Sequence, residues 1–351
     1  LLSEASTFPV EVCHLLMAVS ILPDIGDPLK AASEALAVAE EHGDPLLMLP
    51  AIERLAGVLI VFAGGRTEDV FPYLQRAQEI VKSLGDPLRA MVYYNLAGIA
   101  HAKLGYFGDA LQEFERMLEM AEKIGSPKYI ATVCDNLGRL MLLQGRHAEA
   151  EEYLLRADVI HERREPASRV YSLINLGENA RLANNLPLAI ERYTQLTELT
   201  REIEHWDSEA VAHAGLGLSL LAGGRAAEAQ EQAWATVASV ADRDRWFANR
   251  DMVELFLARL EVNDGKPEAA LERLQETAMT LQAQDIYLWA LIELERASIL
   301  RDIDEQAAAE IVSGILAATK GMQCPPLDVK IAELVRSFTI SVPALEAEQV
   351  A

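Results

Sequence analysis

Residues 136–157 read NLGRLMLLQGRHAEAEEYLLRA. Leu137-Gly138 opens a mostly apolar run, broken by Arg139, that ends at Leu143, and Gly145 follows after Gln144. Glycine takes the left-handed backbone conformation that stops one helix sharply before the next begins. Beyond the turn, Ala150 and Leu154 stand four residues apart, on one face of a second helix. Gly138 and Ala150 are small enough to let the two helices approach closely, and Leu154 fills the gap beside them. The stretch therefore encodes a helical hairpin with a small-residue seam.

The same hairpin recurs along the chain. Gly105, Gly145, Asn184, Gly224 and Gly265 are spaced by 40, 39, 40 and 41 residues, each between two apolar helical patterns. Gly98, Gly177 and Gly217 precede Ala110, Ala189 and Ala229 by twelve residues, as Gly138 precedes Ala150. The larger residue four places on is Phe114, Tyr193 or, in a later unit, Leu274. Helix starts repeat as well. Asp44-Pro45, Asp86-Pro87, Ser126-Pro127 and Glu165-Pro166 pair a capping position with a proline suited to the first helical turn, with Glu165 the weakest cap. Asp207, Asp244 and Asp285 occupy equivalent places without proline. A fixed period of this size predicts an all-α solenoid of stacked hairpins, whose working part is a long surface.

Composition narrows the function. Hydrophobic residues make up 51% of 351 residues but aromatics only 6%, as Leu- and Ala-rich helix packing requires. The formal net charge of −23 opposes direct binding to nucleic acid or an anionic membrane. Much of the acid, such as Glu113, Glu115, Glu119 and Glu122, reads as a solvated outer face. Cys13, Cys134 and Cys324 are far apart and read as ordinary buried thiols in a reducing compartment. No secretory signal or membrane span is legible, which makes the cytoplasm the expected location. Residue 1 is Leu, so the chain is expected to be a piece of a larger protein.

No catalytic motif emerges. There is no phosphate loop, and Gly215-Leu216-Gly217 lacks the third glycine of a dinucleotide fingerprint. The seven histidines form no His-Glu-x-x-His pair, and Cys13-His14 point about 100° apart on a helix, unsuited to one metal ion. No Gly-x-Ser-x-Gly elbow is present. The reading is a non-enzyme with no cofactor and no metal.

The Leu-Gly, Ala, large-residue pattern resembles the tetratricopeptide repeat, most closely at Asn136–Ala157 and Asn175–Leu196. The resemblance covers roughly residues 8–320 as about eight units, with a period about six residues longer than the usual 34. Such extended repeats are similar to those of kinesin light chains and several bacterial regulators. The implied fold is a right-handed α-solenoid superhelix over residues 1–326. Residues 327–351 would then supply a capping helix at Leu327–Phe338 and a tail at Ser341–Ala351. The first unit, with Gly26, the second, with Gly64-Gly65, and the last, Leu291–Thr319 without a turn glycine, fit the pattern less well.

In this family the first helix of each hairpin lines an inner groove. Carried onto this chain, the groove positions include Arg54 and Phe62, then Asn95 and Lys103, then Asp135, Arg139 and Leu142. They continue with Tyr171, Ile174, Glu178 and Arg181, then Leu218, Leu255 and Arg259. Arg54, Lys103, Arg139, Arg181 and Arg259 outnumber Asp135 and Glu178, although the whole chain has 31 basic and 54 acidic residues. Two readings stand side by side. The arginines hold the carboxylates of a bound segment, or they pair internally, Arg139 with Asp135 and Arg181 with Glu178. The resemblance implies a scaffold that takes a peptide or protein segment, with acidic groups, into its groove as part of a larger regulatory protein. The alternative is a small-ligand sensor controlling an attached transcription-regulator or nucleotide-cyclase module.

Overall fold

The computed structural model describes residues 9–20, 27–61, 66–240, 249–340 and 342. Among them are seventeen α-helices and no strand. The chain divides into two compact units, Leu1–Gly125 and Ser126–Ala351. The boundary falls where Gly125, at φ 69°, ends one helix and Ser126-Pro127 starts the next.

The first unit stacks three hairpins, α1 (Pro9–Val19) with α2 (Pro28–His42), α3 (Pro45–Val61) with α4 (Phe71–Leu84), and α5 (Pro87–Lys103) with α6 (Phe107–Ile124). Its core runs along α3, where Leu49, Ile52, Leu55 and Ala56 are buried. The second unit continues with α7 (Pro127–Leu143) and α8 (His147–Arg164), then α9 (Arg169–Leu182) and α10 (Leu186–Glu202). Next come α11 (Trp206–Ala222) and α12 (Ala226–Val240), α13 (Arg250–Asn263) and α14 (Pro267–Leu281), and α15 (Ile286–Leu300) and α16 (Glu305–Ala318). A last helix, α17 (Pro325–Arg336), stands alone. Odd-numbered helices α7 to α15 pack on one another in succession, and each even-numbered helix packs on its hairpin partner. This is the nearest-neighbour stacking of an α-solenoid.

The expected turns are present. Gly105, Gly145, Gly224 and Gly265 have φ between 73° and 80°, and Asn184 has φ 58°. The small-residue seam is equally explicit. A Cβ placed on Gly98 would lie 2.4 Å from the Phe114 ring, on Gly138 2.5 Å from Leu154, and on Gly177 2.8 Å from Tyr193. At Gly217 the filler is different. Ala233 occupies the position of the large residue, and Phe256 of the following hairpin closes the notch, 2.1 Å from a Gly217 Cβ.

Helix starts follow the sequence in part. Asp44, Asp86 and Asp285 accept bonds from backbone N–H groups two or three residues ahead. Ser126 makes no such bond, and Glu165 precedes a 3-10 turn at Pro166–Ser168. Asp207 is not a cap: α11 already begins at Trp206, and Asp207 bonds to the neighbouring Ser208 N–H. The last hairpin forms without a turn glycine because Asp304 caps α16 through the Ala307 N–H. Gly26, Phe62, Gly64, Gly65, Asp244 and the tail from 341 lie outside the described residues, Val342 excepted. All three cysteines are buried free thiols.

Candidate functional site

The inner row of the second unit encloses a cavity of about 410 Å³. Leucine and isoleucine side chains, among them Leu142, Ile174, Leu218 and Leu255, form much of its wall. Charged groups stand among them. Arg139 comes from α7, Glu178 and Arg181 from α9, Asp251 and Arg259 from α13, Glu295 from α15 and Lys330 from α17. Helices α7, α9, α13, α15 and α17 thus deliver charged side chains to the chamber, whereas α11 contributes only the apolar Leu218.

Two of these pairs are internally satisfied. Arg181 donates to Glu178 at 2.8 and 2.6 Å, one turn apart on α9. Burial opposes ionisation of Glu178, but the Arg181 guanidinium and the Tyr193 hydroxyl outweigh it and hold the carboxyl below its ordinary range. Arg259 forms a bidentate pair with Glu295 at 2.8 Å for both bonds. The internal pairing expected for Arg181 is therefore present. The one expected for Arg139 is not. Arg139 instead donates to the Asn249 side chain at a long 3.4 Å, and Asn249 sits in the left-handed region at φ 61°.

Asp135 is withdrawn from the cavity into the helix packing. Its carboxylate accepts from Ser172 at 2.6 Å and meets His161 Nε2 at 2.9 Å, joining α7, α8 and α9. That explains why it cannot partner Arg139. Tyr171 is also absent from the lining and 54% exposed. Arg54, Asn95 and Lys103 sit half-buried on α3 and α5 of the first unit, whereas the cavity is built from the second. The Arg54 Nε is buried without a hydrogen-bond partner.

Five charged residues of the lining, Asp251, Glu295, Arg301, Lys330 and Glu333, are outside the sequence reading. Burial, reinforced by Asp285 and Glu178 and opposed by Arg139, pushes the Asp251 carboxyl up to about 6. Lys330 is pushed below its ordinary value by burial and by the nearby Arg181 and Arg259 charges. Asp251 stands one residue before the groove position that the counting assigns to the start of α13, Met252. Lys330 lies on α17, for which the sequence predicts only a capping role.

Residues 88–157 match the family model described as tetratricopeptide repeat. That stretch carries tetratricopeptide repeats. No curated protein matches it in sequence. Its fold is shared by solved structures of low identity. A Rap protein complexed with competence and sporulation factor is 14% identical, with 95% of this chain and 98% of that one aligned at a TM-score of 0.56. NprR in complex with its cognate peptide NprX is 17% identical over 79% of this chain and 84% of that one, at 0.54. The Rap conjugation gene regulator of plasmid pLS20, in complex with the Phr* peptide, is 12% identical over 95% and 98%, also at 0.54. Among the described residues, no His, Cys, Asp and Glu cluster could hold a metal ion, and no helix is long and apolar enough to cross a membrane.

Proposed function

We propose that the second-unit cavity binds a short peptide segment carrying an acidic group, and that the protein is a non-catalytic, peptide-responsive regulator. The observation that carries this reading is the state of the cavity's charges. Arg181 and Arg259 are spent on Glu178 and Glu295, while Arg139 makes one long bond to a neutral amide and feels the Asp251 carboxyl only through space. A carboxylate placed against Arg139 would gain a short, charge-assisted contact in a chamber with apolar walls. The volume of about 410 Å³ falls in the roughly 300–1,000 Å³ range of small-ligand sites, so it fits a few residues of a segment. Proteins of this fold solved in complex with the peptides NprX and Phr* support the same ligand class.

The test is a library of short synthetic peptides, varied in acidic content, screened by fluorescence anisotropy against the parent, Arg139→Ala and Lys103→Ala. Acidic peptides should bind the parent, lose on the order of 2–5 kcal/mol with Arg139→Ala, and keep their affinity with Lys103→Ala. Equal binding to the parent and to folded Arg139→Ala would remove this residue from the site. Failure of every peptide would leave the cavity to another ligand class.

A further inference from the structure

Helix α17 does more than cover the last hairpin. It packs on α15 and α16, yet its entry reaches the opposite end of the unit. The Cys324 thiol donates to the Leu143 carbonyl at the end of α7, at 3.1 Å, across 181 residues of sequence. Pro326 lies against the α7–α8 turn, where a Cβ on Gly145 would stand 2.7 Å from its ring. Beyond the helix, the Thr339 hydroxyl bonds to Glu305 at the start of α16 at 2.5 Å. Between these two attachments, Lys330, Glu333, Leu334 and Ser337 form part of the cavity wall.

The anchoring is slight. Of the twelve residues of α17 only Leu327 and Ile331 are buried, whereas α7 buries ten side chains or glycines. The connection from α16 contains Gly321 at φ 87°, the one sharp backbone turn in that segment. Segments with few buried apolar contacts open at lower free energy than the rest of a domain. The charge on α17 also belongs to the site. Lys330 feels the charges of Arg181 and Arg259, only partly offset by Glu178 and Glu295, so an added anion would be favoured beside it.

We propose that α17 is a lid on the second-unit cavity: it leaves its contacts with α15, α16 and the end of α7 by turning about Gly321, and an anionic ligand group near Lys330 holds it closed. Lid motion is independent of ligand identity; the holding role rests on the peptide-binding reading above.

Thiol labelling of the full chain tests the lid without any ligand. Cys324 and Cys134 are both fully buried in the same unit. Burial pushes the Cys324 thiol up to about 11, so its closed state is unreactive. With biotin-maleimide in the absence of denaturant, followed by mass spectrometry, Cys324 should react at least ~100-fold faster than Cys134 through local opening. Leu327→Ala should speed Cys324 by at least about 30-fold and leave Cys134 unchanged. Ile331→Val provides a milder version if that variant folds poorly, with an expected gain of about 2–10-fold. A reporter thiol introduced in the cavity wall by Leu142→Cys should accelerate in parallel with Cys324. One common rate for Cys324 and Cys134 would show that α17 opens only with the whole unit and end the proposal. A Leu142→Cys thiol indifferent to Leu327→Ala would show a fraying helix that gates nothing. Neither result depends on whether peptides bind.

Discussion

Hairpins α7–α8 and α11–α12 follow one recipe and finish it differently. In α7–α8 the notch at Gly138 is filled by Leu154 from the hairpin's own second helix. In α11–α12 the equivalent residue is Ala233, and the notch at Gly217 is filled by Phe256 of the next hairpin. The first hairpin is self-sufficient. The second borrows a ring, and its α12 makes far less contact with α13 than α8 makes with α9. Trp234 on α12 is left 71% exposed. Packing density is kept at both notches, but the second depends on its neighbour.

Truncating the borrowed ring should have the largest effect. Phe256→Ala is expected to destabilise the second unit by about 3–5 kcal/mol, at least matching Leu154→Ala at about 2–5 kcal/mol. Ala233→Leu, added to Phe256→Ala, should recover part of that loss by restoring a local filler. Denaturant midpoints measure both, and a loss below about 1 kcal/mol for Phe256→Ala would break the comparison.

Overpacking the self-sufficient seam comes next. Gly138→Leu and Ala150→Leu should each destabilise by about 1–3 kcal/mol, because Leu154 and the Ala150 carbonyl already crowd Gly138. Glu151→Leu, one residue along α8, should be nearly silent. Equal midpoints for all three variants would mean that the seam does not run through Gly138 and Ala150.

The smallest effect separates the hairpins by pH. In α7–α8, His161 meets the Asp135 carboxylate. In α11–α12, His213 meets the neutral Gln232, and burial lowers its pKa below 6.5. A histidine with a depressed folded pKa takes up its proton first in the unfolded chain. Its native state is therefore favoured above the unfolded pKa of about 6.5, and stability falls as pH drops through that value toward the folded one. Midpoints measured from pH 7.5 to 5.5 should fall less steeply in His213→Gln than in the parent. Identical slopes would remove His213 from the acid sensitivity.

The sequence made the fold legible because its signals are local. A left-handed turn at Gly145 and a small residue at Gly138 are properties of one hairpin, repeated until the period shows. The cavity was half legible for the same reason. Arg139, Glu178, Arg181 and Arg259 follow from counting along the first helices. The Arg259–Glu295 pair was not legible, because it links helices whose landmarks are absent. Nor was the capture of Asp135 by His161 and Ser172, since partner choice depends on which side chain arrives first across a packed interface. Helix α17 was visible as a helix but not as a wall, because nothing in a periodic pattern announces a contact across 181 residues.

That contact has a consequence for synthesis. A stack of hairpins gains its contacts in order as the chain emerges, each from its neighbour, which keeps contact order low. Residues 324–337 are made after every hairpin of the second unit, so the chamber stays open on the ribosome until they appear. Arg139 and its leucine neighbours face water for that interval, the period in which an incomplete domain is most exposed to wrong partners. The contact at Leu143 joins residues 181 apart in sequence, so the cavity wall is completed only once the scaffold it closes has been made.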